Sequence, residues 1–193
     1  TSFGETFVLL DKYDNVLFPS LLYTDPRGNK EALYLERKIG KKKLGEITGQ
    51  VGQGMFSLPK LMYIKKHYKN IYTNVDKVLL IEDFIVYKLT GIRQIDYSLA
   101  SRTLAFDVNK REWSKEILLV AGIDEKLFSK PVPIGSIAGN IKQILKDKLK
   151  LKADIQIINI SHDQIANAIG GGVLSPGTAI DGCGTCECLT MTY

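Results

Sequence analysis

Asp163 is the carboxylate whose surroundings most resemble those of a proton acceptor. It stands in Ser161-His162-Asp163-Gln164, between a β-branched run ending at Ile160 and a small-residue stretch ending at Gly170-Gly171-Gly172. A strand end meeting a helix start holds a side chain rigidly, and an Asp there can receive a proton. The same local sequence also fits a plain helix cap. Gly182-Cys183-Gly184-Thr185 offers backbone N–H groups and a hydroxyl that could face phosphate oxygens, since glycine lets the backbone approach an anion closely. Taken alone, an ordinary tight hairpin is the plainer reading of it.

Other chemistry finds less support. Gly172 and Gly177 have the spacing of a phosphate-binding loop, but Thr178 stands where its Lys must be. Gly52-Gln53-Gly54 lacks the third glycine of the dinucleotide pattern. Cys183, Cys186 and Cys188 with His162 could supply soft metal ligands, against the plainer reading of small buried thiols beside a glycine turn, so no metal site is assigned. His162 is read as a support for Asp163.

The elements that must position these groups follow from patterning. Phe7–Leu10, turn formers from Asp11 to Asn15, and Val16–Phe18 predict a β-hairpin. Helices are expected over about 29–46, interrupted or tightened at Gly40, and from Ser57, as N-cap, with Pro59 in the first turn. A further helix is expected over about 76–89, closed by Gly91, then short ones at 98–106 and at Ser114–Ala121 before Gly122. Pro131 and Pro133 mark an extended crossing, 138–149 an amphipathic helix, and Ala153–Ile160 a buried strand. A strand, a turn and a second strand then end the chain.

The 193 residues, 45% hydrophobic and 24% charged, are enough for one substantial α/β domain, and no apolar tract is long enough to span a membrane. Nothing at the start reads as a signal peptide, and three clustered cysteines argue against a secreted disulfide framework, so a cytoplasmic, soluble protein is expected. The net charge of +5 is spread over amphipathic segments without clustered aromatics, which gives no basis for nucleic-acid binding.

Six stretches in one order then carry a resemblance. Met55–His67 resembles the first signature of the FGGY carbohydrate kinases, with Tyr63 where tryptophan is usual. Leu79–Gly91, Asp96–Asp107, Trp113–Leu118, Val132–Gly139, and His162-Asp163-Gln164 with Gly184-Thr185 follow at family-like spacing. The resemblance, to xylulokinase- and glycerol-kinase-like members, implies a ribonuclease-H-like, actin-related α/β domain with a mixed sheet flanked by helices. It implies ATP with Mg²⁺ in a cleft, a sugar or polyol substrate, Asp163 as catalytic base, and Gly184 and Thr185 at the nucleotide phosphates. Glu5, Tyr97, Asp25 and Gln164 are the implied substrate-binding residues. Gly4 replaces the Arg that usually precedes Glu5, and Tyr23 leads the segment holding Asp25 and Arg27. Residues 1–193 would be a partial N-terminal domain, without the opening phosphate-cradling strands and the second domain, and inactive alone. A homodimer is left open. The competing reading is a non-catalytic sugar-binding or assembly module derived from such a kinase.

Overall fold

A computed structural model describes residues 1–183 and 187–192. In chain order the first half holds β1 (Phe7–Leu10), β2 (Val16–Phe18), α1 (Asn29–Ile39), α2 (Lys41–Thr48), α3 (Ser57–His67), α4 (Lys69–Tyr72), β3 (Lys77–Leu80) and α5 (Ile81–Thr90). The second half holds β4 (Gln94–Asp96), α6 (Tyr97–Ser101), β5 (Phe106–Asp107), β6 (Glu112–Trp113), α7 (Lys115–Ala121), β7 (Lys130–Val132), β8 (Ile137–Asn140), α8 (Gln143–Lys148), β9 (Gln156–Ile158), α9 (Asp163–Gly170), β10 (Ala179–Cys183) and β11 (Glu187–Met191).

The hairpin forms as its sequence predicts, and β1 is the middle strand of an antiparallel sheet in the order β2-β1-β3. Period-two alternation sends its side chains to both faces. Phe7 and Leu9, with Val78 and Leu80 of β3, join the main core with Leu35, Leu58, Leu61 and Trp113. Val8, Leu10 and Leu79 face the other way, onto Ile81, Phe84 and Tyr87. Both faces are therefore covered, which explains one departure from expectation. Residues 77–80 are a strand and not the first turn of a helix, because a strand buried on both faces reads as an unbroken apolar run.

Local stop signals act where the sequence places them. Gly40, at φ 93°, separates α1 from α2. Gly91 and Gly122 end α5 and α7 in the left-handed region, and the Ser114 side chain caps α7 by accepting from the Ile117 N–H. Ser57 differs: Phe56 is the N-cap of α3, and the Ser57 hydroxyl donates instead to the Glu5 carbonyl at 2.7 Å. The expected helix at 138–149 divides into β8 and the shorter α8, and 98–106 into α6 and β5. The apolar side chains around β9 are not buried: Ile155, Ile158 and Ile160 are 37–43% exposed, since among the described residues the strand pairs only with β8. Parallel pairing of β4 with β7 and the Ser2–His162 bridge complete a mixed α/β fold. Among the described residues no helix is long and apolar enough to cross a membrane.

Candidate active site

The turn that carries Asp163 is tied down from several sides. Asp96 caps α6 by accepting from the Ser98 and Leu99 N–H groups, and the Ser98 hydroxyl in turn accepts from the His162 N–H at 2.9 Å. The Asp163 N–H donates to the Ser2 carbonyl at 2.9 Å, and Glu82 accepts from the Ile160 N–H at 3.0 Å. Asn159, fully buried, exchanges hydrogen bonds with the Gln94 side chain and main chain. Asp163 thus begins α9 from a fixed base, with its own carboxylate half exposed.

Glu5 reaches the same place from the opposite direction. Its φ is 62°, and the Thr6 N–H closes a tight turn onto the Gly4 carbonyl at 2.6 Å. Such a conformation is strained for a residue with a side chain, and strain of this kind collects at functional sites. The buried Glu5 carboxylate pairs with Arg102, whose Nε lies 2.5 Å from Oε1.

Glu5, Arg102, His162, Asp163 and Gln164 line one cavity of about 420 Å³. Phe3, Tyr23 and Met55 add aromatic and apolar surface, and Glu187 and Cys188 of β11 complete the lining. Larger cavities exist, one of them lined by charged side chains of the α2, β6 and α7 region, but this one gathers Glu5, Asp163 and Gln164. His162 Nδ1 lies 3.4 Å from Asp163 Oδ1, and burial, partly countered by the Asp163 charge, pushes the imidazole below its usual range. The neutral form therefore predominates at pH 7, and the ring adds little positive charge to the site.

Three of the residues proposed from sequence, Glu5, Asp163 and Gln164, meet in this cavity. Two do not line it. Tyr97 is half-buried and stacks on Phe106 with ring centroids 5.6 Å apart. Asp25 lies on a neighbouring cavity of about 480 Å³, where Arg27 holds its carboxyl down to about 2. Gly184 and Thr185 lie outside the described residues, as does Cys186. Their neighbours Glu187 and Cys188 border the cavity. Arg102 went unassigned in the sequence because its partner lies 97 positions away, and only the fold joins them.

Among the described residues one group of potential metal ligands stands close together, Asp181, Cys183 and Glu187, all exposed. It contains neither His162 nor Cys188, so the thiol-rich metal reading gains nothing from the geometry.

The model of the FGGY family of carbohydrate kinases, N-terminal domain, matches residues 1–170. The chain belongs to this family. It is 26% identical over 180 residues to a xylulose kinase of Lactococcus lactis, covering 93% of this chain and 36% of the relative. A crystal structure of a xyloylose kinase from Brucella ovis superimposes with a TM-score of 0.86 at 30% identity, over 93% of this chain and 37% of that one. A gluconate kinase from Lactobacillus acidophilus shares the fold, with a TM-score of 0.89 at 20% identity over 98% of this chain and 38% of its own. The FGGY chain described here thus spans little more than a third of the length of the relatives it matches.

Proposed function

We propose that this chain is the sugar-binding, base-bearing domain of an ATP-dependent carbohydrate kinase, with Asp163 accepting the proton of the hydroxyl that is phosphorylated. The observation that carries this is the placement of the Asp163 carboxylate, at the first turn of α9, on the wall of a cavity shared with Glu5, Arg102 and Gln164. Family membership and the xylulose kinase likeness support a sugar or polyol as acceptor.

In the reaction, the sugar oxygen attacks the terminal phosphorus of ATP, the bond from that phosphorus to the bridging oxygen breaks, and ADP leaves with that electron pair. The sugar hydroxyl proton passes to Asp163. Phosphoryl transfer asks the protein mainly for positioning and charge neutralisation, and Mg²⁺ carried on the nucleotide would supply part of the latter. Glu5 and Gln164 would hold the acceptor. Gly184 and Thr185 are proposed to receive the phosphates through backbone and hydroxyl donors, a reading that the presence of β11 on the cavity wall supports. Asp25, locked to Arg27, acts by fixing the loop that brings Tyr23 to the cavity. Tyr97 acts from behind the site, in the stack with Phe106. The nucleotide-binding remainder is proposed to lie in a second domain.

The test is ADP release by the complete gene product against a panel of ketoses, alditols and aldonates, with calorimetric binding run beside it. Sugar-dependent ADP release supports the proposal. Sugar binding without any ADP release points instead to a non-catalytic sugar-binding module.

A further inference from the structure

Arg102 stands out among the residues of the cavity because three independent contacts fix it there. Its Nε and Nη2 both meet Oε1 of Glu5. Its guanidinium lies over the buried ring of Phe56, 5.2 Å from the centroid. Its aliphatic stem fills the space beside Gly4: a Cβ added at position 4 would stand 3.0 Å from Arg102 Cγ and 3.0 Å from His162 Cδ2. A side chain at position 4 would press on Arg102 in this pose, and the arginine stem or the His162 ring would have to give by a few tenths of an ångström.

The hydrogen bonds described for the pair use one carboxylate oxygen, Oε1, and two of the three guanidinium nitrogens. Among the described residues no hydrogen bond is made by Oε2 of Glu5 or Nη1 of Arg102, which leaves both open to a ligand. An acceptor set beside a donor is what two adjacent hydroxyl groups require, one giving its hydrogen and the other receiving one.

The charges on the cavity wall point the same way. Glu5, Asp163 and Glu187 bring three carboxylates against one guanidinium, and that guanidinium is already paired. His162 is mainly neutral at pH 7. The nearby Lys60 ammonium is turned to the main-chain carbonyls of Met55 and Tyr23 and does not line the cavity. A substrate carboxylate would meet net negative charge here with no unpaired cation among the described lining residues, and uncompensated like charge at short range is unfavourable.

We propose that the Glu5–Arg102 pair reads neighbouring hydroxyls of an uncharged substrate, a ketose or alditol and not an aldonate, and that Gly4 is the residue that admits Arg102 to the site. The inference rests on the cavity being the acceptor site described above. It assigns Arg102 a direct substrate contact, and it makes positions 4 and 102 a coupled determinant of substrate choice.

The experiment is calorimetric titration of the complete gene product with D-xylulose, D-ribulose, xylitol, ribitol and gluconate. It is done for the native protein, Arg102→Leu, Arg102→Lys and Gly4→Ala, with ADP release measured in parallel. The native protein should bind at least one uncharged probe, and gluconate at least about tenfold more weakly. Arg102→Leu should weaken the uncharged ligand by about 10–100-fold, and Arg102→Lys by less. Gly4→Ala keeps both charged partners and the folded pair's chemistry, so it tests the site even where Arg102→Leu fails to fold; it should also weaken binding, by displacing the arginine stem. Gluconate binding tightest, no binding of any uncharged probe, or unchanged affinity in Gly4→Ala or in folded Arg102→Leu would each overturn the proposal. Uncharged sugars bound with these variant effects but without ADP release would leave the pair's role standing and remove the kinase reading, so the two failures are told apart.

Discussion

His162 and Asp163 are neighbours in the chain and in the site, with Nδ1 of one 3.4 Å from Oδ1 of the other. Burial disfavours the imidazolium, the Asp163 carboxylate favours it, Arg102 disfavours it, and Glu5 and Asp96 favour it more weakly; the net result is a pKa lowered from 6.5. Protonation of His162 below that value places a positive charge against the proposed base and weakens it.

The acid side of the kcat/KM profile should therefore carry an inflection below pH 6.5 that His162→Gln removes, while kcat at pH 8 falls less than about tenfold. Steady-state rates from pH 5 to 8.5 test this. The same inflection in the variant would take His162 out of the account.

Beneath the turn, the Glu82 carboxyl is pushed up to about 7, first by burial and then by the charge of Asp96. A carboxyl whose folded value lies above its ordinary 4.5 contributes stability that is fully present below that value and lost as pH rises through about 7. In Glu82→Gln the amide keeps an acceptor for the Ile160 N–H and offers Asp96 a permanent donor in place of the protonated carboxyl. Thermal melts at pH 5 and pH 8 should show the native protein losing stability over that interval, by a few kcal/mol at most, and the variant losing clearly less. Parallel pH dependences would contradict this.

Gly54 is required by packing and not by a nucleotide. A Cβ there would stand 2.6 Å from the Asn29 backbone nitrogen and 2.8 Å from its Cα, at the start of α1. Gly54→Ala should cost about 1–3 kcal/mol, read from the denaturant midpoint. A midpoint shift within error would show that the contact relaxes freely.

These cases show which features a sequence displays. The hairpin at 7–18 and the stops at Gly40, Gly91 and Gly122 are decided within a few residues, so they were legible. The place of Asp163 at a helix start was legible because a β-branched run and a small-residue stretch flank it. Residues 77–80 were not: their strand identity comes from pairing with β1 nearly 70 positions earlier, which leaves no period-two signal when both faces are buried. The local pattern places Ser57 at its own helix start, yet its hydroxyl serves the strained Glu5 turn, a partner 52 positions away. Arg102 was hidden for the same reason.

Lys60 is fully buried, and its ammonium donates to the carbonyls of Met55, at 2.5 Å, and Tyr23, at 3.4 Å, joining two segments that both reach the cavity. Burial lowers its pKa to about 8 against the opposing charges of Asp25 and Glu5. Lys60→Met leaves both carbonyls without this donor and should lower stability by about 1–3 kcal/mol in chemical denaturation at pH 7. A variant as stable as the native protein would mean that burying the charge costs as much as the two bonds return.

The central claim is most directly tested by Asp163→Asn in the complete gene product, with turnover and sugar affinity measured on the same preparation. The account predicts that kcat for ADP release falls by about 10²–10⁴-fold while calorimetric affinity for the sugar stays within about threefold, because the proton acceptor is lost and the walls of the cavity remain. Turnover close to that of the native protein would contradict it.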